Sequence, residues 1–342
     1  MSAFPAVNNP VRYIDLFCGM GGFRIAAEQV FSERGLSSCC VFSSDIDPAV
    51  RQTYAANFAA SPEGDITRIA AHDIPDHDIL FAGFPCQPFS ICGGMNGFED
   101  TRGTLFFDIA RILAVKQPGC FVLENVKQLK GHHNGKTLKR ILETLRGIGY
   151  RVEYNVLNAL DFGVPQKRER IFIIGFLEPV RFEWPEGKIP MTPLEVILEK
   201  NVPAFYYASE SIRDKRMATR AGNPPLQQPT IWHENKSGAI SAYPYSCALR
   251  AGASYNYLLV NGERRLTERE MLRLQGFPEH YHIVCGYQAT RKQAGNSVAV
   301  PCVAAVLRAL LDGLIPSRMP PFNPHPSRPT VTEFDWADES RF

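Results

Sequence analysis

Through residues 11 to about 176, short apolar runs alternate with stretches whose apolar positions recur at helical spacing. The runs begin at Val11 (VRYIDLF), Cys39 (CCVFSS), Asp78 (DILFAGF), Cys120 (CFVLEN), Val152 (VEYNVL) and Arg170 (RIFIIGF). Between them Leu105, Ile109, Ile112 and Leu113 share one helical face, and Leu138, Ile141, Leu142 and Leu145 share another. This order predicts an α/β architecture, a parallel or mostly parallel sheet flanked by helices. Beyond Phe176 the periodicity fades into Pro-, Tyr- and Asn-rich sequence up to about Asn261, which predicts an irregular second lobe. A helical pattern returns at Thr267, where Thr267 with Glu270 makes a capping box, and residues 296–314 read as one more helix. From Pro316 a proline-rich tail is expected to be extended or disordered.

Composition narrows the class. A chain of 342 residues suits two domains, or one domain with an insertion, and needs no covalent staples. With 45% hydrophobic and 21% charged residues it is neither disordered nor fibrous nor membrane-spanning. The most apolar late stretch, 297–315, is interrupted by Pro301 and Arg308, and the opening MSAFPAVNNP lacks the regions of a signal peptide. A cytoplasmic protein without membrane contact is expected. Nine cysteines with no CxxC pair indicate neither a disulfide framework nor a metal site. Thirty-seven Lys and Arg against thirty-five Asp and Glu leave +2, which by itself does not announce a polyanionic partner.

Candidate chemistry falls at the ends of the predicted strands. Asp15-Leu16-Phe17-Cys18-Gly19-Met20-Gly21-Gly22-Phe23 sits at a strand-to-helix turn, where glycines let a ligand approach the backbone. Counted from Gly19, the third glycine of a dinucleotide fingerprint would fall on Arg24, which disfavours a nicotinamide or flavin site. Asp45 follows the second strand, where a carboxylate can accept hydrogen bonds from both ribose hydroxyls. Asp47 with Pro48 reads as a helix cap. Asp65, in Gly64-Asp65-Ile66-Thr67, is expected at the end of a third short strand, able to accept from an adenine amino group. Each aspartate alone reads first as a turn or cap; together, with no phosphate loop or basic anion clamp, they suit an adenosine lacking phosphates.

Gly83-Phe84-Pro85-Cys86-Gln87-Pro88-Phe89-Ser90 follows a buried-looking strand, and its prolines stiffen a loop that presents Cys86 rather than packing it. Glu124 follows a very apolar run, so desolvation should raise its pKa and let it donate a proton, although Glu124-Asn125 also reads as a capping pair. In Gln166-Lys167-Arg168-Glu169-Arg170, alternation sends Arg168 and Arg170 to one face, where two guanidiniums could grip a carbonyl oxygen and a phosphate, or form an exposed strand end.

These residues carry a resemblance. DLFCGMGGF, Asp45 and GDIT, GFPCQPFS, GFEDTRGTLFFDIARIL, VLENV, QKRER, RRLTEREMLRLQGFP and QAGNSVAVP, spread from Arg12 to about Leu314, resemble the DNA (cytosine-5) methyltransferases of the monospecific bacterial restriction-modification type. The resemblance implies an S-adenosyl-L-methionine-dependent, Rossmann-like methyltransferase fold. The catalytic domain would be discontinuous, residues 1–180 and 288–315, with a smaller irregular target-recognition domain and hinge at 181–287 and a tail at 316–342. Cys86 would add to carbon 6 of a flipped cytosine while Glu124 protonates nitrogen 3; Arg168 would hold the ring carbonyl oxygen and Arg170 a loop or phosphate. Phe17, Gly19, Met20, Gly22, Asp45, Ile46, Asp65, Ile66, Pro85, Leu105, Asn296 and Ser297 would line the S-adenosyl-L-methionine pocket, from which S-adenosyl-L-homocysteine leaves. Ile46 stands where relatives often place an aromatic, so aliphatic packing would replace stacking.

The glycine-rich stretch over residues 90–102 reads as a lid able to close on the flipped base, or as an ordinary flexible surface loop, with Gln87, Ser90 and Arg102 as candidate DNA contacts. Sequence choice would fall to the second lobe, where Tyr243, Tyr245, Arg250, Tyr255, Asn256 and Tyr257 are candidates to meet bases or phosphates, although alternating tyrosines also suit strand packing. Ala248 replaces the threonine of the usual recognition segment. The implied partners are double-stranded DNA and a cognate restriction endonuclease encoded nearby, with the protein a monomer. Two alternatives stand beside this: a tRNA cytosine-5 methyltransferase, whose Cys-Phe-Thr signature is missing, and a catalytically silent DNA-binding relative.

Overall fold

The structure, a computed structural model, describes residues 9–85, 105–219 and 229–314. Its first half runs β1 (Val11–Leu16), α1 (Gly22–Glu33), β2 (Ser38–Ser44), α2 (Pro48–Phe58), β3 (Ile79–Gly83), α3 (Leu105–Lys116), β4 (Cys120–Val126), α4 (Lys136–Gly147), β5 (Arg151–Asn158), β6 (Gln166–Lys167) and β7 (Glu169–Phe176). One six-stranded sheet has the order β2-β1-β3-β4-β7-β5. The first four of these strands are mutually parallel, whereas β7 runs antiparallel to both β4 and β5. The link from β5 to β7 is too short for a crossover helix, so the chain can only turn back. Because β2 lies on one side of β1 and β3 on the other, the strand order reverses there and opens a crevice at the carboxyl ends.

Alternation along the strands feeds two apolar layers. Tyr13, Phe81, Val122 and Ile174 face α1, while Ile14, Leu80, Leu123 and Ile173 face α3 and α4. The second lobe contains α5 (Leu194–Ile197), α6 (Glu210–Thr219), β8 (Ile231–Glu234), β9 (Ile240–Tyr243), β10 (Ser246–Cys247), β11 (Leu258–Val260) and α7 (Glu268–Leu274). Strand β8 is central to a small antiparallel sheet, and β10 pairs with β6. Ile231, Leu249, Leu258 and Val260 join the same buried cluster as α1, so the two lobes share apolar packing. The capping box at Thr267 is present, and Glu270 also takes a two-pronged ion pair from Arg264 at 2.7 and 2.8 Å.

Two expectations need correction. Residues 296–314 are not one helix: α8 (Tyr287–Asn296) ends at Asn296 and α9 (Val300–Leu314) begins four residues later. Pro301 has no N–H to return to the carbonyl of Ser297, so the helix breaks there and that carbonyl is left for side chains. Asp65 does not end a strand. Only Ser44 and Glu63 bridge at that point, and Asp65 instead caps a short 3₁₀ turn, accepting from Thr67 N at 3.0 Å and Thr67 Oγ1 at 2.7 Å. Pro62, which has no N–H to give a ladder, immediately precedes the bridging Glu63, and the chain turns at Asp65.

By length and composition the stretch Tyr287–Leu314 would suffice to cross a membrane, but α9 spends its apolar face in the core, where Val303, Val306, Leu307 and Leu310 are fully buried. It packs along α1, with Arg308 gripping Glu33 at 2.8 and 2.9 Å and Arg34 gripping Asp312 at 2.5 Å.

Candidate active site

The crevice is bounded on one side by the turn from β1 into α1. Gly19 N donates to Asp45 Oδ2 at 3.0 Å and Asp47 N to Asp45 Oδ1 at 2.9 Å, so one carboxylate bridges the ends of β1 and β2. Burial pushes the Asp45 pKa up, opposed by these two N–H bonds. A Cβ on Gly22 would lie 2.7 Å from Val298 Cγ2 and 3.1 Å from Ser297 Oγ, so glycine is what lets this turn seat against the α8–α9 junction. Tyr281 donates to the Met20 carbonyl at 2.8 Å from above. Asp45 N bonds Glu63 O, which carries Asp65 and Ile66 to the same edge, and Arg111 of α3 holds the Ile66 carbonyl at 2.7 Å. Phe17 adopts a positive φ of 54°; Met20, Ile66 and Ser297 are buried, Leu105 is half-buried, and Asn296 and Pro85 are exposed. Ile46 is 70% exposed beside Asp45, an apolar surface left open at the rim.

The other side is built from β3, β4 and β7. Gly83 pairs with Glu124, whose Oε2 would stand 3.8 Å from a Cβ on that glycine. Glu124 is buried, and Arg170 Nε lies 3.0 Å from its Oε1. Burial raises the Glu124 pKa, while Arg170 and then Arg168 oppose the rise. Asn125 is no helix cap: its Nδ2 donates to the Phe84 carbonyl at 3.0 Å, tying the end of β4 to the backbone that leads toward Cys86. Cys86, Gln87, Ser90 and Arg102, with the rest of the 90–102 lid, lie outside the described residues.

The two arginines separate. Arg168 falls in the break between β6 and β7 and is only 2% exposed. Its guanidinium donates to the carbonyls of Leu249 at 3.1 Å, Gly295 at 3.2 Å and Ser297 at 2.5 Å, joining the second lobe to the α8–α9 junction. Arg168 was expected to hold the substrate ring; here both of its terminal nitrogens meet backbone carbonyls, and Arg170 is the guanidinium beside Glu124.

In the second lobe Tyr243 and Tyr245 stack at 5.0 Å, Tyr255 is exposed and stacks on Tyr287 at 6.1 Å, and Arg250 is exposed with its guanidinium 4.8 Å from the Tyr257 ring. Asn256 is half-buried and its carbonyl accepts from Arg216. Tyr257 does not face outward as expected of a base-reading residue. It is 6% exposed and its hydroxyl accepts from Arg250 N at 2.8 Å, so it is a packing residue. One residue was missed: Asp15 is fully buried in β1, and among the described residues neither carboxylate oxygen has a hydrogen-bond partner. Its only sequence signal was a charge inside an otherwise apolar run.

With this geometry in view, comparison with known proteins identifies the class. Residues 11–312 match the family described as C-5 cytosine-specific DNA methylase. The chain belongs to that family, and its activity is transfer of a methyl group to carbon 5 of cytosine in DNA. Similar proteins include the type II methyltransferases M.NgoBI of Neisseria gonorrhoeae, 55% identical over 89% of this chain and 94% of its own length, and M.HaeII of Haemophilus aegyptius, 52% identical over 88% and 93%. In fold the chain resembles a Dnmt2 structure from Spodoptera frugiperda (TM-score 0.70, 18% identity, 88% of this chain and 100% of that one) and the Dnmt2 methyltransferase of S. pombe (0.65, 21%, 89% and 99%).

Proposed function

We propose that this enzyme methylates one cytosine in a short double-stranded DNA site, serves as the modification partner of a restriction endonuclease in a bacterial cytoplasm, and acts as a monomer built as the discontinuous domains outlined above. The side of the crevice around Gly19, Asp45 and Ile46 suits S-adenosyl-L-methionine. A carboxylate held at the end of β2 retains lone pairs for ribose hydroxyls, and exposed Ile46 offers an apolar surface for adenine. That cofactor supplies a methyl group on a sulfonium, an electrophile that carbon 5 attacks once the ring is activated.

Activation falls to the chain's own residues. Addition of the Cys86 thiolate to carbon 6, with protonation of nitrogen 3 by Glu124, converts an aromatic ring into an enamine. Arg170, in place of Arg168, meets the ring and keeps Glu124 oriented. After transfer, loss of the carbon 5 proton and expulsion of Cys86 restore aromaticity. The base must leave the stack first, at a cost of a few kcal/mol. The observation that carries this reading is a buried carboxyl with raised proton affinity, paired to one arginine, across from the strand that leads into Pro85-Cys86. Bisulfite sequencing of a plasmid from cells expressing the protein tests it: one cytosine context should be converted to the protected form, and uniform deamination would refute it.

A further inference from the structure

The near-neutral total charge conceals a sharply basic segment. Between residues 126 and 142 stand Lys127, Lys130, Lys136, Lys139 and Arg140, with His132 and His133 and no Asp or Glu, in a molecule whose whole excess is +2. This segment leaves the carboxyl end of β4 two residues after Glu124, makes two 3₁₀ turns (Lys127–Lys130 and His132–Gly135) and enters α4 at Lys136. It therefore rises from the same edge of the sheet as Glu124 and Arg170. Lys127, Lys130, His133, Lys136, Lys139 and Arg140 stand at the surface, each exposed or half-exposed.

Among the described residues outside this segment, several basic side chains are held by carboxylates. Arg264 is held by Glu270, Arg273 by Glu279, Arg308 by Glu33, and Arg216 by Glu234. On this segment Lys127 pairs with Glu169 and Lys139 approaches Glu143 at 3.7 Å, but among the described residues no carboxylate comes within 4 Å of Lys130 or Lys136. Helix α4 also begins without an acidic residue or a side-chain cap, so its first-turn cations sit against the positive end of the helix dipole. Repulsion of this kind is relieved by an external anion, and a row of exposed cations matches a row of phosphates better than it matches any single small anion.

We propose that the connection from β4 to α4, through Lys130, His133 and Lys136, is a ridge that binds the DNA backbone outside the flipped cytosine. This rests on the reading of duplex DNA as the substrate. Phosphate contacts of this type fix register without reading sequence, so the ridge would hold the flank of any site the second lobe selects.

The test is salt-dependent binding of a duplex of about four helical turns, roughly forty base pairs, containing a cytosine that bisulfite sequencing shows to be methylated by the wild-type enzyme. The double variant Lys130→Ala/Lys136→Ala is compared with wild type by fluorescence anisotropy across a KCl series. Loss of two phosphate contacts lowers the magnitude of the slope of log K against log salt by about 1.8, and affinity near physiological salt by on the order of tenfold. Trimming the flank from the wild type's duplex should reproduce that loss, and the variant should bind trimmed and full duplexes alike. An unchanged slope in a variant with wild-type thermal stability overturns the ridge while leaving the methylation reading intact. Failure of the wild type to methylate any cytosine overturns that reading instead.

Discussion

Glu124 and Arg170 meet diagonally across an antiparallel pair. Glu124 stands opposite Phe172 and Val126 opposite Arg170, so both side chains emerge on one face, and Nε lies 3.0 Å from Oε1. The pair explains how a carboxyl buried by β4 is kept oriented yet protonatable, since burial raises its pKa more than the guanidinium lowers it.

Replacing Glu124 with Gln should reduce kcat by about 10²–10⁴-fold with a small change in KM for S-adenosyl-L-methionine. The proton-donating form is the neutral one, so turnover in wild type should fall as pH rises through the raised Glu124 pKa. Single-turnover rates across a pH series check this, and a Gln variant that keeps the same alkaline limb would assign that limb to another group.

Arg168 and Arg170 should fail differently. Arg170→Ala should lose turnover while keeping most of its thermal stability. Arg168→Ala strips its donors from the carbonyls of Leu249, Gly295 and Ser297, of which Ser297 keeps only the 3.4 Å contact from Gln275; each carbonyl left unpaired costs about 1–3 kcal/mol, and the variant should unfold at a distinctly lower temperature. Lysine at 168 should not rescue it, because a compact ammonium does not span a planar fork's three acceptors. Calorimetry alongside activity separates the two; equal thermal losses would contradict the assignment.

Asp45→Ala should weaken S-adenosyl-L-methionine binding by at least about tenfold, the value of one charge-assisted hydrogen bond of roughly 1.5 kcal/mol or more. Isothermal titration measures it directly. An unchanged affinity would leave Asp45 as nothing more than the clamp between Gly19 and Asp47.

Asp15 predicts a pH effect on stability. Full burial drives its folded-state pKa well above the ordinary carboxylate value, with Arg24 opposing and Asp45 reinforcing the rise. An acid whose folded pKa is raised stabilises fully below its unfolded pKa and loses that contribution as pH climbs toward the folded one. Wild type should therefore lose more stability than Asp15→Asn between about pH 5 and about pH 7.5, taken as round values above the ordinary carboxylate pKa. Parallel urea melts of the two proteins that stay offset by a constant amount would contradict this.

Much of the fold was legible because apolar periodicity reports which faces are buried. All six strands of the main sheet and the faces of α3 and α4 appear where runs such as VRYIDLF and DILFAGF, and helical spacings such as that of Ile109 with Ile112, placed them. What failed was decided by tertiary context. The polar sequence YQATRKQAGN gave no stripe to mark α8, and the break before Pro301 is read only once its partner Arg168 is seen. Alternation grouped Arg168 with Arg170, but it carries no information about which guanidinium meets backbone carbonyls and which meets Glu124. Tyr257 failed for the same reason: a tyrosine's sequence context does not say whether its hydroxyl faces a base or a backbone N–H.

The central claim is covalent activation of cytosine by Cys86, and mechanism-based trapping tests it most directly. Duplex DNA carrying 5-fluorocytosine at the methylated position cannot release the carbon 5 substituent after transfer. Incubated with S-adenosyl-L-methionine, wild type should form a complex that survives denaturing electrophoresis, with the peptide containing Cys86 attached to DNA, and Cys86→Ala should form none. Methylation of unmodified DNA by Cys86→Ala, or an adduct mapped to another residue, would contradict the account.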